Sequence, residues 1–300
     1  MKQATWLMLS VLCPLLGASV NINIEEFKQS VVFIYAAAGN GNVDEQHPLG
    51  TGFLVHVGSN AQPKLGWLFL VTARHIVDPA WAHCPEPQPS IVYLRMNKTG
   101  YDPSKDTTGV AYLPIRLLEN GQKKYFVRDD DDRVDAAVMD IGWQNLPQDK
   151  YDYAPPGLNL FASPDEIKKL SIGDSIISAG LIPGRSGERR NYPFFKFGNI
   201  SNIPDEPTWI VCRQGMPQRL ERVWFVAANL VGGNSGSPIA YLPTGGGELT
   251  RPMLVGLQSS SFAEADIAGM TPIEDVFKII KRICPDGDLY RGDPAKKPKQ

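Results

Sequence analysis

Ser235 is bracketed by glycines in Gly233-Asn234-Ser235-Gly236-Ser237-Pro238, and this is the chain's strongest chemical signal. Glycines allow a tight turn that other residues resist. Such a turn exposes a serine hydroxyl and can aim the backbone N–H groups of Gly233 and Ser235 at one point, the arrangement a tetrahedral oxyanion requires. A serine hydroxyl is a weak nucleophile at neutral pH and needs a base within hydrogen-bond reach, which in turn needs an orienting group. Four histidines compete for the base: His47, His56, His75 and His83. His75 follows the apolar run Trp67–Thr72, where a strand end can hold a side chain rigidly, whereas His56 alternates within a strand and His47 and His83 fall in loops. Asp135 opens the apolar run Ala136-Ala137-Val138-Met139, and a carboxylate at the mouth of a buried strand needs a partner. It can accept from the δ nitrogen of His75, fixing the tautomer. Asp140, near the end of that run, reads as a strand-end charge facing water.

The elements that must position these residues read as short strands. At 43% hydrophobic and 21% charged, 300 residues can bury a sizeable core. Abundant glycine (28) and proline (25) suit many strands and turns better than a helical bundle. A hairpin is expected from Gly50–Val57 and Trp67–Thr72. Further strands are expected at 31–35, 91–95, 112–117, 125–127 and 134–141, then at 171–181, 194–198, 208–212, 223–228 and 253–259. Gln144 to Pro156 reads as a linker between two β-rich halves. One helix is well signalled: Thr271 as N-cap, Pro272 at the first helical position, Glu274 three residues after the cap, and an apolar face of Ile273, Val276, Phe277, Ile280 and Ile283. The run Asp129–Asp132 reads as a solvated loop; a calcium loop is the sharper alternative but lacks the expected glycine and glutamate.

Lys2, the apolar Trp6–Leu16 and the small residues Gly17-Ala18-Ser19 read as a secretory signal over 1–19, cleaved after Ser19. Cys84, Cys212 and Cys284 then remain, an odd number, with Cys212–Cys284 one possible bridge and no zinc-like spacing. The net charge of -2 gives no reason to expect nucleic acid as a partner, and no later segment could span a membrane. Residues 286–300 read as a disordered tail, and Arg291-Gly292-Asp293 within it as coincidence.

The blocks Thr72-Ala73-Arg74-His75, Asp135-Ala136-Ala137-Val138 and Gly233-Asn234-Ser235-Gly236-Ser237-Pro238 resemble the three signature blocks of the trypsin-like, chymotrypsin-fold serine proteases. They stand in the same order, with gaps of sixty and one hundred residues. Gly50-Thr51-Gly52-Phe53-Leu54-Val55, and Asn234 before the serine, are similar to the bacterial HtrA-like branch, though too little chain follows Ser235 for that branch's PDZ domain. The resemblance covers residues 27 to 284. It implies an all-β fold of two successive antiparallel β-barrels with a C-terminal helix, the N-terminal barrel over 20–145 and the C-terminal barrel over 146–285. It also implies a secreted or periplasmic serine endopeptidase with no metal or organic cofactor, a polypeptide substrate, and no stable membrane association after signal cleavage. Ser235 would be nucleophile, His75 general base and then acid, Asp135 orienter, and Gly233 and Ser235 the oxyanion hole. Asn229 would lie near the floor of the specificity pocket, disfavouring a strong preference for Arg or Lys. Leu257, Gln258 and Ser259 would line the peptide-binding edge.

Two departures stand out. Asn234 replaces the aspartate that zymogen-type members pair with a freed N-terminus, so competence without activation cleavage is expected. Arg74 replaces a small residue beside His75 and could crowd it or lower its pKa, which keeps open a catalytically silent, protein-binding member of the fold. A different serine hydrolase, such as an esterase, is the third reading; the serine-last order and the missing Gly-x-Ser-x-Gly elbow disfavour it.

Overall fold

Runs rich in β-branched and aromatic residues form the strands because such side chains suit a pleated, half-buried surface. The computed structural model describes residues 24–62, 65–119, 123–142, 146–244, 248–262, 265–285 and 287. The expected signal segment 1–19 lies outside the described residues, as does the tail apart from Gly287. A short helix α1 (Ile24–Ser30) leads into β1 (Val31–Ala37), β2 (Val43–Gly58) and β3 (Gly66–Thr72), followed by the one-turn helix α2 (Arg74–Val77). Then come β4 (Ile91–Asn97), β5 (Val110–Arg116), the two-residue strands β6 (Leu118–Glu119), β7 (Lys123–Lys124) and β8 (Val127–Arg128), and β9 (Ala137–Asp140). The main sheet of this half runs β5-β4-β1-β2-β3-β9-β8, antiparallel throughout. The expected hairpin is present as β2–β3, with Gly52 opposite Thr72.

The second half begins with a 3-10 turn at Leu158–Leu160 and the short helix α3 (Pro164–Ile167). It continues with β10 (Ser175–Gly180), β11 (Phe194–Asn202), β12 (Thr208–Val211), β13 (Gln218–Glu221), β14 (Trp224–Ala227), β15 (Pro238–Tyr241), β16 (Met253–Phe262), β17 (Ile267–Pro272) and helix α4 (Ile273–Ile283). Six of these strands close a barrel in the order β10-β11-β14-β17-β16-β15, while β12 and β13 form a separate hairpin. The all-β reading of two successive antiparallel units with a C-terminal helix holds. The second unit is a closed barrel; the first is barrel-like, its end strands β5 and β8 unpaired with each other among the described residues.

Several local expectations are corrected. β17 occupies residues read as the approach to the helix, so Pro272 is the N-cap and α4 starts at Ile273. The Thr271 hydroxyl does not cap; it donates to the Asp135 carbonyl at 3.2 Å. The apolar face of α4 is completed by Ile279, buried with Ile273, Val276 and Ile280, each contributing about 2 kcal/mol by leaving water. Between the expected linker and the next strand, where no element was expected, Ser163 and Glu166 form a reciprocal capping box that starts α3. Strand β13 went unread because charged residues interrupt it, and β15 because only Pro238-Ile239 signalled it. His47 lies within β2 rather than in a loop. Cys212 pairs with Cys84 across a Cα–Cα distance of 5.4 Å, and Cys284 is free and buried, so the Cys212–Cys284 bridge does not form. Chain folding brings the loop after α2 to the end of β12, a juxtaposition that cysteine spacing does not encode.

Candidate functional site

Strand pairing explains why His75 and Asp135 meet. Thr72 at the end of β3 lies opposite Ala137 at the start of β9. His75 stands three residues beyond one and Asp135 two residues before the other, so the antiparallel register carries both past the same sheet end. His75 Nδ1 lies 2.7 Å from Asp135 Oδ2, and the His75 backbone N–H donates to Oδ1 at 3.0 Å. Asp135 is buried at 1% exposure while the His75 side chain keeps 20%. An Nδ1–H donor to the carboxylate leaves Nε2 as the free base nitrogen of the neutral ring.

Burial opposes the imidazolium, but the charge and hydrogen bond of Asp135 outweigh it, with help from Glu221 and against Arg219; His75 is held above the ordinary histidine range. Burial likewise opposes the Asp135 carboxylate, yet the His75 charge and hydrogen bonds keep it below the usual aspartate value. The two act as one coupled pair.

Ser235 comes from the second unit, on the turn between β14 and β15. The turn depends on Gly233 and Gly236, at φ of +89° and +83°, conformations that an L side chain resists. At Gly236 a Cβ would also stand 2.0 Å from the Thr51 carbonyl and 2.4 Å from Thr72 Oγ1. Close approach of the two units is therefore what this glycine permits. Thr51 is the joint: its N–H donates to the Ser235 carbonyl at 2.8 Å and its hydroxyl to the Gly233 carbonyl at 2.8 Å, while it accepts from Leu181 N–H at 3.0 Å.

Asn234 is buried and braces the turn from below. Its amide donates to the Leu181 carbonyl at 2.8 Å, and its oxygen accepts from Val231 N–H at 3.1 Å and from Lys196 Nζ at 3.3 Å. Lys196 also donates to the Asn229 carbonyl, so one ammonium ties both ends of the 229–234 segment. Burial lowers its affinity for the proton. The N–H groups of Asn234, Gly236 and Ser237 are bonded to Val231, Gln258 and Asn234 carbonyls. Among the described residues, those of Gly233 and Ser235 have no acceptor within the chain.

His75, Asp135, Gly233 and Ser235 share the wall of a cavity of about 790 Å³ between the two units. The Ser235 hydroxyl makes no hydrogen bond to His75 among the described residues; such contacts are often loose until substrate binds. His47, paired with Asp44 at 2.6 Å, lines the same cavity.

No protein-family model matches the chain, and no curated protein does. Solved structures with a similar chain course include the MamO protease domain of Magnetospirillum magneticum (12% identity, TM-score 0.46, covering 84% of this chain and 96% of that one). The active form of the Rv3671c protease of M. tuberculosis is similar at 16% identity and TM-score 0.46, covering 87% and 83%. Catalytically active tobacco etch virus protease, complexed with product, is similar at 11% identity and TM-score 0.46, covering 89% and 82%. These are proteases of the two-barrel fold that the sequence blocks resemble. Likenesses this distant transfer no activity.

The remaining expected site residues divide. Ser259 lines the cavity, joined by Ser260 and Ser261 on the same strand. Leu257 and Gln258 are fully buried and do not line it; the Gln258 backbone instead pairs with Gly236 and Ser237. Asn229 does not reach the cavity wall; its carbonyl receives Lys196.

Arg74, flagged as a threat to His75, is turned away. It pairs with Asp78 at 3.3 Å and Asp132 at 2.8 Å and lies over the Trp81 ring. The cation that acts on His75 is Arg219, on β13, with Glu221 beside it. Neither was singled out in the sequence. Alternation in Gln218-Arg219-Leu220-Glu221 places the two charges on one face, but nothing local says what that face covers.

Proposed function

We propose that the chain is a serine endopeptidase acting through an acyl-enzyme. The observation that carries the reading is the partly buried 2.7 Å His75–Asp135 contact sharing one cavity with Ser235 and two uncommitted backbone N–H groups. Ser235 Oγ attacks the scissile carbonyl while His75 Nε2 takes its proton. Asp135 holds the ring in the required tautomer and stabilises the imidazolium. The N–H groups of Gly233 and Ser235 receive the oxyanion. His75 then returns the proton to the leaving amine, and water, activated by the same nitrogen, releases the acyl group.

Bracing of the turn by Asn234 and Lys196 supports a site competent without an activating cleavage. The Cys84–Cys212 disulfide and the apolar leader support an oxidising compartment, outside the cell or in a periplasm. Among the described residues no helix is long and apolar enough to cross a membrane.

A silent, protein-binding role draws on the missing Ser235–His75 hydrogen bond. Digestion of unfolded casein by purified protein, against Ser235→Ala, separates the two. Cleavage by the wild type alone supports the peptidase; intact casein with both, or cleavage by both, contradicts it. Hydrolysis of simple esters without casein cleavage would favour the esterase reading.

A further inference from the structure

The β12–β13 hairpin stands outside the closed barrel, yet it lines the same cavity as the His75–Asp135 pair. Cys212, directly after β12, is bridged to Cys84 in the loop after α2. Arg219 lies over the Trp81 ring of that same loop, 3.1 Å from its centroid, and the indole N–H is fixed to the Asp132 carbonyl at 2.8 Å. Alternation along β13 then turns Arg219 and Glu221 inward together and Leu220 outward. Both inward residues line the cavity that holds His75, Asp135 and Ser235.

We propose that Arg219 and Glu221 are positioning residues that govern how firmly His75 holds its proton. The inference rests on the reading of His75 as general base and deepens it. Arg219 meets Glu221 through one contact, Nη2 to Oε1 at 2.6 Å. Arg219 Nη1 and Glu221 Oε2 are buried without a hydrogen-bond partner. A pair joined at one point compensates its charges incompletely, and the remainder acts on neighbours.

Those neighbours are Asp135, before β9, and His75 and Arg74, on α2. Arg74 is itself neutralised by Asp78 and Asp132. Arg213, beyond β12, is taken up by Glu86. The residues facing Arg219 and Glu221 across the hairpin, Ile210 and Thr208, carry no charge. The cluster thus contains two carboxylates and one guanidinium, and a proton on His75 brings it to neutrality. Burial and the Asp135 charge raise Glu221, while Arg219 and a proton on His75 favour its ionised form, so Glu221 and His75 titrate as a coupled pair.

The test is an NMR titration of the His75 ring in the whole protein, selectively labelled at histidine and assigned by His75→Gln. Glu221→Gln, which keeps the shape and removes the charge, should lower the His75 midpoint by about one pH unit, tenfold in proton affinity. Arg219→Gln should raise it by a similar amount, and Arg219→Lys should leave it near the wild-type value. Opposite signs from two neighbouring substitutions cannot come from loosened packing. Wild-type midpoints in folded Glu221→Gln and Arg219→Gln, or shifts of the same sign, would overturn the proposal. Should Glu221→Gln not fold, Arg219→Gln against Arg219→Lys decides by the same criterion. The readout needs no turnover, so the proposal can stand or fall independently of whether Ser235 proves to be a nucleophile.

Discussion

Asp135→Asn removes one charge and almost no volume, which makes it the sharpest probe of the His75 pair. Two unit charges about 4 Å apart at an effective dielectric of about 20 attract by about 4 kcal/mol, the scale suited to a carboxylate and an imidazolium joined by a 2.7 Å hydrogen bond. The neighbouring Arg219 remains and Glu221 partly substitutes, so a loss of about two pH units in the His75 midpoint is expected. A second effect follows from the donor chemistry. An amide can turn its NH₂ toward Nδ1, which then accepts, placing the ring proton on Nε2 where it cannot serve as a base. The maximal rate should fall by about 10³–10⁴-fold. The assay is kcat/KM against pH from 5 to 9 on a peptide substrate found by library digestion, with the His75 ring followed by NMR. A variant with an unmoved acid limb and more than about a tenth of the wild-type rate would refute Asp135 as the orienting partner.

In the wild type, a base works only when unprotonated and His75 holds its proton more firmly than usual, so activity should rise with pH through a midpoint above about 6.5. A rate that is flat from pH 5 to 8 would exclude His75. Asn234→Ala strips three hydrogen bonds from beneath the turn and leaves the Leu181 carbonyl and Val231 N–H unpaired; chemical unfolding should show a loss of about 2–4 kcal/mol, with activity falling alongside it. Gly236→Ala forces a Cβ to 2.0 Å from the Thr51 carbonyl at φ +83°, so separation of the two units, or a loss above about 3 kcal/mol, is expected by thermal and urea unfolding. Replacing Cys84 and Cys212 together by serine opens a link between positions 128 residues apart, and should lower stability by about 2–5 kcal/mol in the same assays.

Most strand positions, and the candidate nucleophile, base and orienter, were legible because each rests on local chemistry. Apolar runs between turn residues read as strands, and a nucleophile, a base and an orienter each need a particular residue type. What stayed hidden depends on distant chain segments meeting. Thr271 had the right neighbours for a helix cap, but Asp135 lies within reach and takes the hydroxyl. Arg74 looked dangerous beside His75 in sequence, yet a one-turn helix points it toward Asp78, Asp132 and Trp81. Arg219 and Glu221 occupy an inconspicuous polar strand, and only the fold brings that strand to the cavity of His75 and Asp135. The Cys84–Cys212 bridge is of the same kind, joining residues that no spacing rule relates.

An activated Ser235 beside a formed oxyanion site should react covalently with a fluorophosphonate. Fluorophosphonate labelling of the purified protein, read by intact and peptide mass, tests it most directly, with Ser235→Ala and His75→Gln as controls. One label per chain is expected, located on Ser235, abolished by the first substitution and strongly slowed by the second. A folded wild-type sample that takes up no label, or takes it up at another residue, would contradict it.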